Sequence, residues 1–123
     1  MNLEDVKKYC KAKKGVTETF PFDGETLVMK VGSKMFLLTN IHSSILKISL
    51  KCDPFMSIDL RRDYKAVEAG YHLNKKHWNT ITVGEDLDDE KVKFLIDISY
   101  DLVFKGLTKK EKNLLQSNNA SSR

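Results

Sequence analysis

The chain has no uninterrupted run of about 18 apolar residues and no charged-then-apolar leader at its N-terminus, so it reads as a soluble, cytoplasmic protein with no membrane partner. Only two cysteines occur in 123 residues, Cys10 and Cys52. They have no companions at metal-ligand spacing, and a secreted disulfide scaffold of this size carries more, so both read as small semi-buried thiols. The sequence also lacks G-x-G-x-x-G, a phosphate-binding P-loop, H-E-x-x-H, C-x-x-C and a nucleophile elbow. Those absences leave no motif for a cofactor or a catalytic centre, and the expectation is a protein that is not an enzyme. His72 and His77 match no common metal template. Asp86, Asp88, Asp89 and Glu90 read as helix N-terminus chemistry rather than a metal cluster.

What is present is a single-domain quantity of apolar residues, 41% of the chain, with 31% charged residues and a net charge of +4. The charge comes in blocks. Residues 1–14 carry +3, residues 61–84 carry +3, residues 85–104 carry −5 and residues 105–123 carry +4. A basic side and an acidic helix follow, and a basic side raises encounter rates with polyanions without conferring sequence specificity.

Periodicity organises the chain. A helix is predicted over residues 3–13, capped by Asn2 and stopped by Gly15. Residues 16–50 read as four strands with turns at Asp23-Gly24, Gly32-Ser33 and His42-Ser43-Ser44; Pro21 marks the first as an edge strand. Asp53-Pro54 opens a helix to about Tyr64. Residues 66–76 read as a loop and 77–83 as a fifth strand. Asp88 caps the longest helix, 89–105, ended by Gly106. Thr108 with Glu111 forms a capping box for a last helix to about Ser117, before a polar tail at 118–123. The order predicts an α+β two-layer sandwich: an antiparallel sheet of five to six strands with helices on one face, in one domain over 1–117.

The candidate binding surface is the basic and aromatic set Arg61, Arg62, Lys65, His72, Asn74, Lys75, Lys76, His77 and Trp78. Lysine and arginine neutralise phosphates, asparagine both donates to and accepts from base edges, and tryptophan stacks on exposed bases. Period-two counting groups Trp78 with Thr80 and Thr82, opposite Ile81 and Val83, which predicts an outward indole. The same count puts His77 and Asn79 inward, as residues that organise the loop. The pattern also accommodates a purely structural reading, in which Trp78 caps the core while Asn74 and His77 hold the loop.

Ser49-Leu50-Lys51, Asp53-Pro54, the run Tyr71 to Thr80 and Leu95-Ile96-Asp97-Ile98-Ser99-Tyr100 together resemble the MmcQ/YjbR family of small bacterial proteins. The resemblance covers nearly the whole chain, and its specific block is His72, Leu73, Asn74, Lys75, His77 and Trp78. It implies a fold akin to CyaY/frataxin and type III secretion chaperones, with a "double wing" DNA-binding role and no catalytic residues. It does not imply iron binding, because the first helix is lysine-rich where an acidic ridge would be expected. Two functional expectations follow: a DNA-binding protein, possible as a regulator, using the 61–78 surface, or a protein-interaction or chaperone-like module. Either would be a monomer or a weak homodimer.

Overall fold

The computed structural model describes residues 1–70 and 73–121, with residues 117–121 as backbone only. Among these residues the elements run α1 (Leu3–Lys11), β1 (Val16–Thr19), β2 (Thr26–Val31), β3 (Lys34–Asn40), β4 (Lys47–Lys51), α2 (Pro54–Asp63), β5 (Val67–Ala69), β6 (Trp78–Thr82), α3 (Asp89–Lys105) and α4 (Lys109–Ser121). The strands form one antiparallel sheet of order β1-β2-β3-β4-β6-β5.

Local chemistry sets most boundaries. Asn2 and Asp5 exchange hydrogen bonds in a complete capping box, Asp53 accepts from Phe55 and Met56 N–H, and Asp88 accepts from Lys91 N–H. The second capping box is only half formed. Thr108 accepts from Glu111 N–H, but the Glu111 carboxylate turns away to accept from Ser33 N–H at 2.8 Å. Gly32 takes φ +58° in the tight β2–β3 turn, where a side chain would also strike Leu107 and Glu111.

Three expected boundaries are corrected. The 66–76 segment is not all loop: Val67–Ala69 pairs with β6 as an edge strand, too short for an alternating pattern to register. Asp23-Gly24 is part of a longer β1–β2 connection in which Asp23 accepts from Glu25 and Thr26 N–H. The last helix continues to Ser121, and residues 122–123 lie outside the described residues.

The main core lies between the helices and one sheet face. Val6 and Cys10 of α1 and Val92, Leu95, Ile96 and Val103 of α3 meet Leu27, Met29, Leu37, Ile48, Leu50 and Ile81. A bulge interrupts β2–β3 pairing, where Met29 opposes Leu37 and Lys30 opposes Met35. Phe36 is the extra residue, and both Phe36 and Leu37 are fully buried. Ser99 of α3 serves this break: its hydroxyl donates to Phe36 C=O at 2.6 Å and accepts from Lys51 N–H at 2.8 Å. Phe94 on α3 is 46% exposed. The opposite sheet face carries a smaller cluster of Val28, Leu38 and Trp78, with Met35 and Leu73 packed on it.

Candidate nucleic-acid interface

The basic and aromatic segment folds as a stapled loop. Asn74 C=O accepts from both His77 and Trp78 N–H, and its side-chain oxygen accepts from Lys76 N–H at 2.9 Å. Lys75 Nζ donates to Gly70 C=O at 3.2 Å. His77 C=O accepts from Cys52 N–H, tying the loop to the end of β4. Gly70 N–H donates to Trp78 C=O at 2.8 Å, and a Cβ at position 70 would lie 3.0 Å from that oxygen, so the close approach requires glycine.

Arg61 is the central staple. Its Nε donates to Asn79 Oδ1 at 2.7 Å, and Nη2 donates to the carbonyls of Trp78, at 3.1 Å, and Lys75. Asn79, 2% exposed, passes the chain of bonds to Ser57 Oγ, which donates to Asp53 C=O. Asn79 therefore organises this region from the inner sheet face, as the period-two count predicted.

The outward indole is corrected. Trp78 does face away from Ile81, but it is 8% exposed, because Val28, Leu38, Met35 and Leu73 cover it on that second face. Arg62 is also engaged, by Asp63 at 2.8 Å and Asp59 at 3.2 Å, and these carboxylates hold its guanidinium pKa above the usual value. Asn74, Arg61, Arg62, Lys75 and Trp78 thus have local structural duties. Lys65 and Lys76 are exposed and His77 half-buried, while His72, with Tyr71, lies outside the described residues.

A different set of cations comes together at one end of α3. Gly32 N–H donates to Gly15 C=O, Tyr100 OH donates to Lys14 C=O at 2.6 Å, Lys34 Nζ donates to Gly106 C=O at 3.1 Å, and Leu115 packs on Gly15. These contacts join the α1–β1 turn, the β2–β3 turn and the α3–α4 junction. They gather Lys14, Lys34, Lys105, Lys109, Lys110 and Lys112, five of them exposed and Lys112 half-buried. Glu111 sits among them but is bound to Ser33 N–H. The neighbouring Lys13 is paired with Asp97. Glu85, Asp86, Asp88, Asp89 and Glu90 occupy the other end of α3. At 1.5 Å per residue the helix separates the two by about 25 Å, and the signs match the helix dipole at both ends. The charge blocks were visible in the sequence; the meeting of the 1–14 and 105–123 blocks was not.

Among the described residues no cluster of three His, Cys, Asp or Glu side chains is placed to hold a metal ion, and no helix is long and apolar enough to cross a membrane. Cys10 and Cys52 are both buried and unpaired, and burial pushes the Cys10 thiol up to about 12.

The chain is similar to proteins of matching length. It is 29% identical over 94% of its length to YjbR of Escherichia coli K12, covering 98% of that protein. It is 37% identical to YbdF of Escherichia coli O157:H7 across 76% of each chain. Among solved structures, the Deinococcus radiodurans protein DR2400, with a DUF419 domain, superposes with a TM-score of 0.87 at 41% identity, over 94% of this chain and 88% of that one. A Pseudomonas syringae protein at 23% identity shares the fold with a TM-score of 0.73, over 84% of this chain and 99% of that one. The YjbR family model matches residues 11–102, and the chain belongs to the YjbR family.

Proposed function

We propose that the protein is a non-catalytic DNA-binding protein whose phosphate-contacting surface is the lysine pole at the α3–α4 junction rather than the 61–78 segment. The observation that carries this reading is the joining of three separate chain segments into one six-lysine surface, with Glu111 among the lysines already engaged by Ser33 N–H. Lysine heads suit phosphates as point charges and carry no base-reading geometry, so the binding is sequence-tolerant. The acidic far end of α3 orients the molecule in the field of a polyanion, lysines first.

The test is fluorescence anisotropy with labelled duplex DNA across a salt series. About three to six phosphate contacts give a log–log salt slope between about −3 and −5. Lys109→Glu/Lys110→Glu is expected to weaken binding to every duplex and to flatten that slope by about two. Lys75→Glu/Lys76→Glu is expected to leave both nearly unchanged. Salt-insensitive binding, or equal loss from both double variants, defeats the assignment.

A second reading, a protein-interaction module, is favoured by Phe55 and Ile58, one turn apart on the outer side of α2 and 80% and 61% exposed. Phe55→Ser/Ile58→Ser is then expected to abolish any concentration-dependent sedimentation of the wild type. A wild type that sediments as a monomer at all concentrations removes self-association as the meaning of that patch.

A further inference from the structure

The helix-free sheet face holds a cleft of about 770 Å³, within the size range of small-molecule sites. It plays no part in the lysine pole, so it stands independently of the DNA reading. Its lining is divided by chemistry. Phe22 forms one lip and is 65% exposed, while Leu38 and Leu73 provide apolar surface over the Trp78 cluster. Across the floor, Ser49 Oγ and Thr80 Oγ1 share a hydrogen bond at 3.0 Å. A hydroxyl offers one donor and two acceptor positions, so Ser49 retains capacity for a further partner.

Lys47 and Glu68 line the same cleft, and neither has an ion-pair partner among the described residues. Their placement follows from the register. Lys47 on β4 is opposite Thr82, Glu68 on β5 is opposite Thr80, and β6 lies between the two strands. Two strand spacings and two residues along the strand set their Cα atoms about 12 Å apart on one face. Side chains stand roughly perpendicular to a sheet, so the two charges project side by side from the face, and they form no ion pair with each other. Asp23 also lines the cleft, with its carboxylate accepting from Glu25 and Thr26 N–H; Lys47 and Glu68 are left to match a ligand with a cation at one end and an anion at the other. Three extended residues span about 10–11 Å, so a free tripeptide has the required length and charges.

We propose that this face binds short free peptides of about three residues, with the α-ammonium at Glu68, the α-carboxylate at Lys47, a backbone amide on the Ser49 hydroxyl and apolar side chains against Phe22, Leu38 and Leu73. The probe is trileucine, titrated into ¹⁵N-labelled protein. The expected result is saturable shifts of the Leu38, Ser49 and Lys47 amide resonances. Blocking either end, as N-acetyl-trileucine or trileucine amide, weakens binding about tenfold through loss of a charge-assisted contact. Glu68→Gln removes the penalty for acetylation and keeps the penalty for amidation; Lys47→Gln does the reverse. Both side chains are exposed, and preserved dispersion of the amide spectrum establishes that each variant is folded. The proposal is overturned if millimolar trileucine moves no resonance of this face, if the doubly blocked peptide binds as well as the free one, or if either substitution weakens all four peptides equally.

Discussion

Arg61 Nε donates to Asn79 Oδ1 at 2.7 Å, across the junction between α2 and the start of β6. The guanidinium also donates to the carbonyls of Lys75 in the loop and Trp78 in β6, so one side chain of α2 satisfies groups from the loop and the strand. Such a fork cannot be copied by lysine, whose single nitrogen lacks the planar geometry. Arg61→Lys is therefore expected to destabilise the fold nearly as much as Arg61→Ala, by roughly 2–3 kcal/mol. Urea denaturation measures this. In a double-mutant cycle with Asn79→Ala, the loss is expected to be less than the sum of the two, because both variants break the same bond. Additive losses would show that the bond contributes little.

Ser99 gives a second stability test. Its hydroxyl donates to Phe36 C=O at the β3 bulge and accepts from Lys51 N–H at the end of β4. Ser99→Ala takes the partner from one buried and one part-buried backbone group and is expected to cost about 2–4 kcal/mol, well beyond what loss of one oxygen atom suggests. Ser99→Cys keeps a weak donor and is expected to recover part of that loss. A Ser99→Ala midpoint within experimental scatter of the wild type would count against the bridging role.

The position of the only tryptophan is open to an inexpensive check. With Trp78 8% exposed beneath Leu73, Met35 and Leu38, its fluorescence is expected to be blue-shifted and poorly quenched by acrylamide. Leu73→Ala is expected to raise the quenching constant. Saturating duplex DNA is expected to leave emission unchanged, because the lysine pole lies elsewhere. Strong DNA-dependent quenching would restore the 61–78 segment as the contact surface.

Alkaline pH should test the thiol and phenol of α1, Cys10 and Tyr9. Burial pushes Cys10 up to about 12; Tyr9 also rises to about 12, through burial and its hydrogen bond to Asp97. In the unfolded chain the thiol and phenol ionise near their usual values, about 9 and 10. Between there and about 12 the folded state holds more protons than the unfolded one, so stability is full below pH ~9 and falls as pH rises. Cys10→Ala should make that fall shallower. An identical slope for both proteins would mean that the thiol does not contribute.

Side-chain exposure was the feature least legible along the chain, and Trp78 shows why. Alternation placed it correctly on the face opposite Ile81, but exposure of that face depends on Val28 and Leu38, which come from strands far away in sequence. The segment nevertheless contained signs of structure, since asparagine in a short loop commonly bonds its own backbone, as Asn74 does. Arg61 carried no such sign, because its acceptors are brought to it only by pairing of β4 with β6.

Residue chemistry acting over a few positions was sufficient for the helix caps, the β2–β3 turn, the layered α+β class and the family. Each depends on contacts between near neighbours or on a repeating pattern. Burial of the indole, capture of Arg61, convergence of the two lysine-rich ends and the spacing of Lys47 from Glu68 arose only on folding. All four depend on which distant segments become adjacent, and strand order and register set that adjacency.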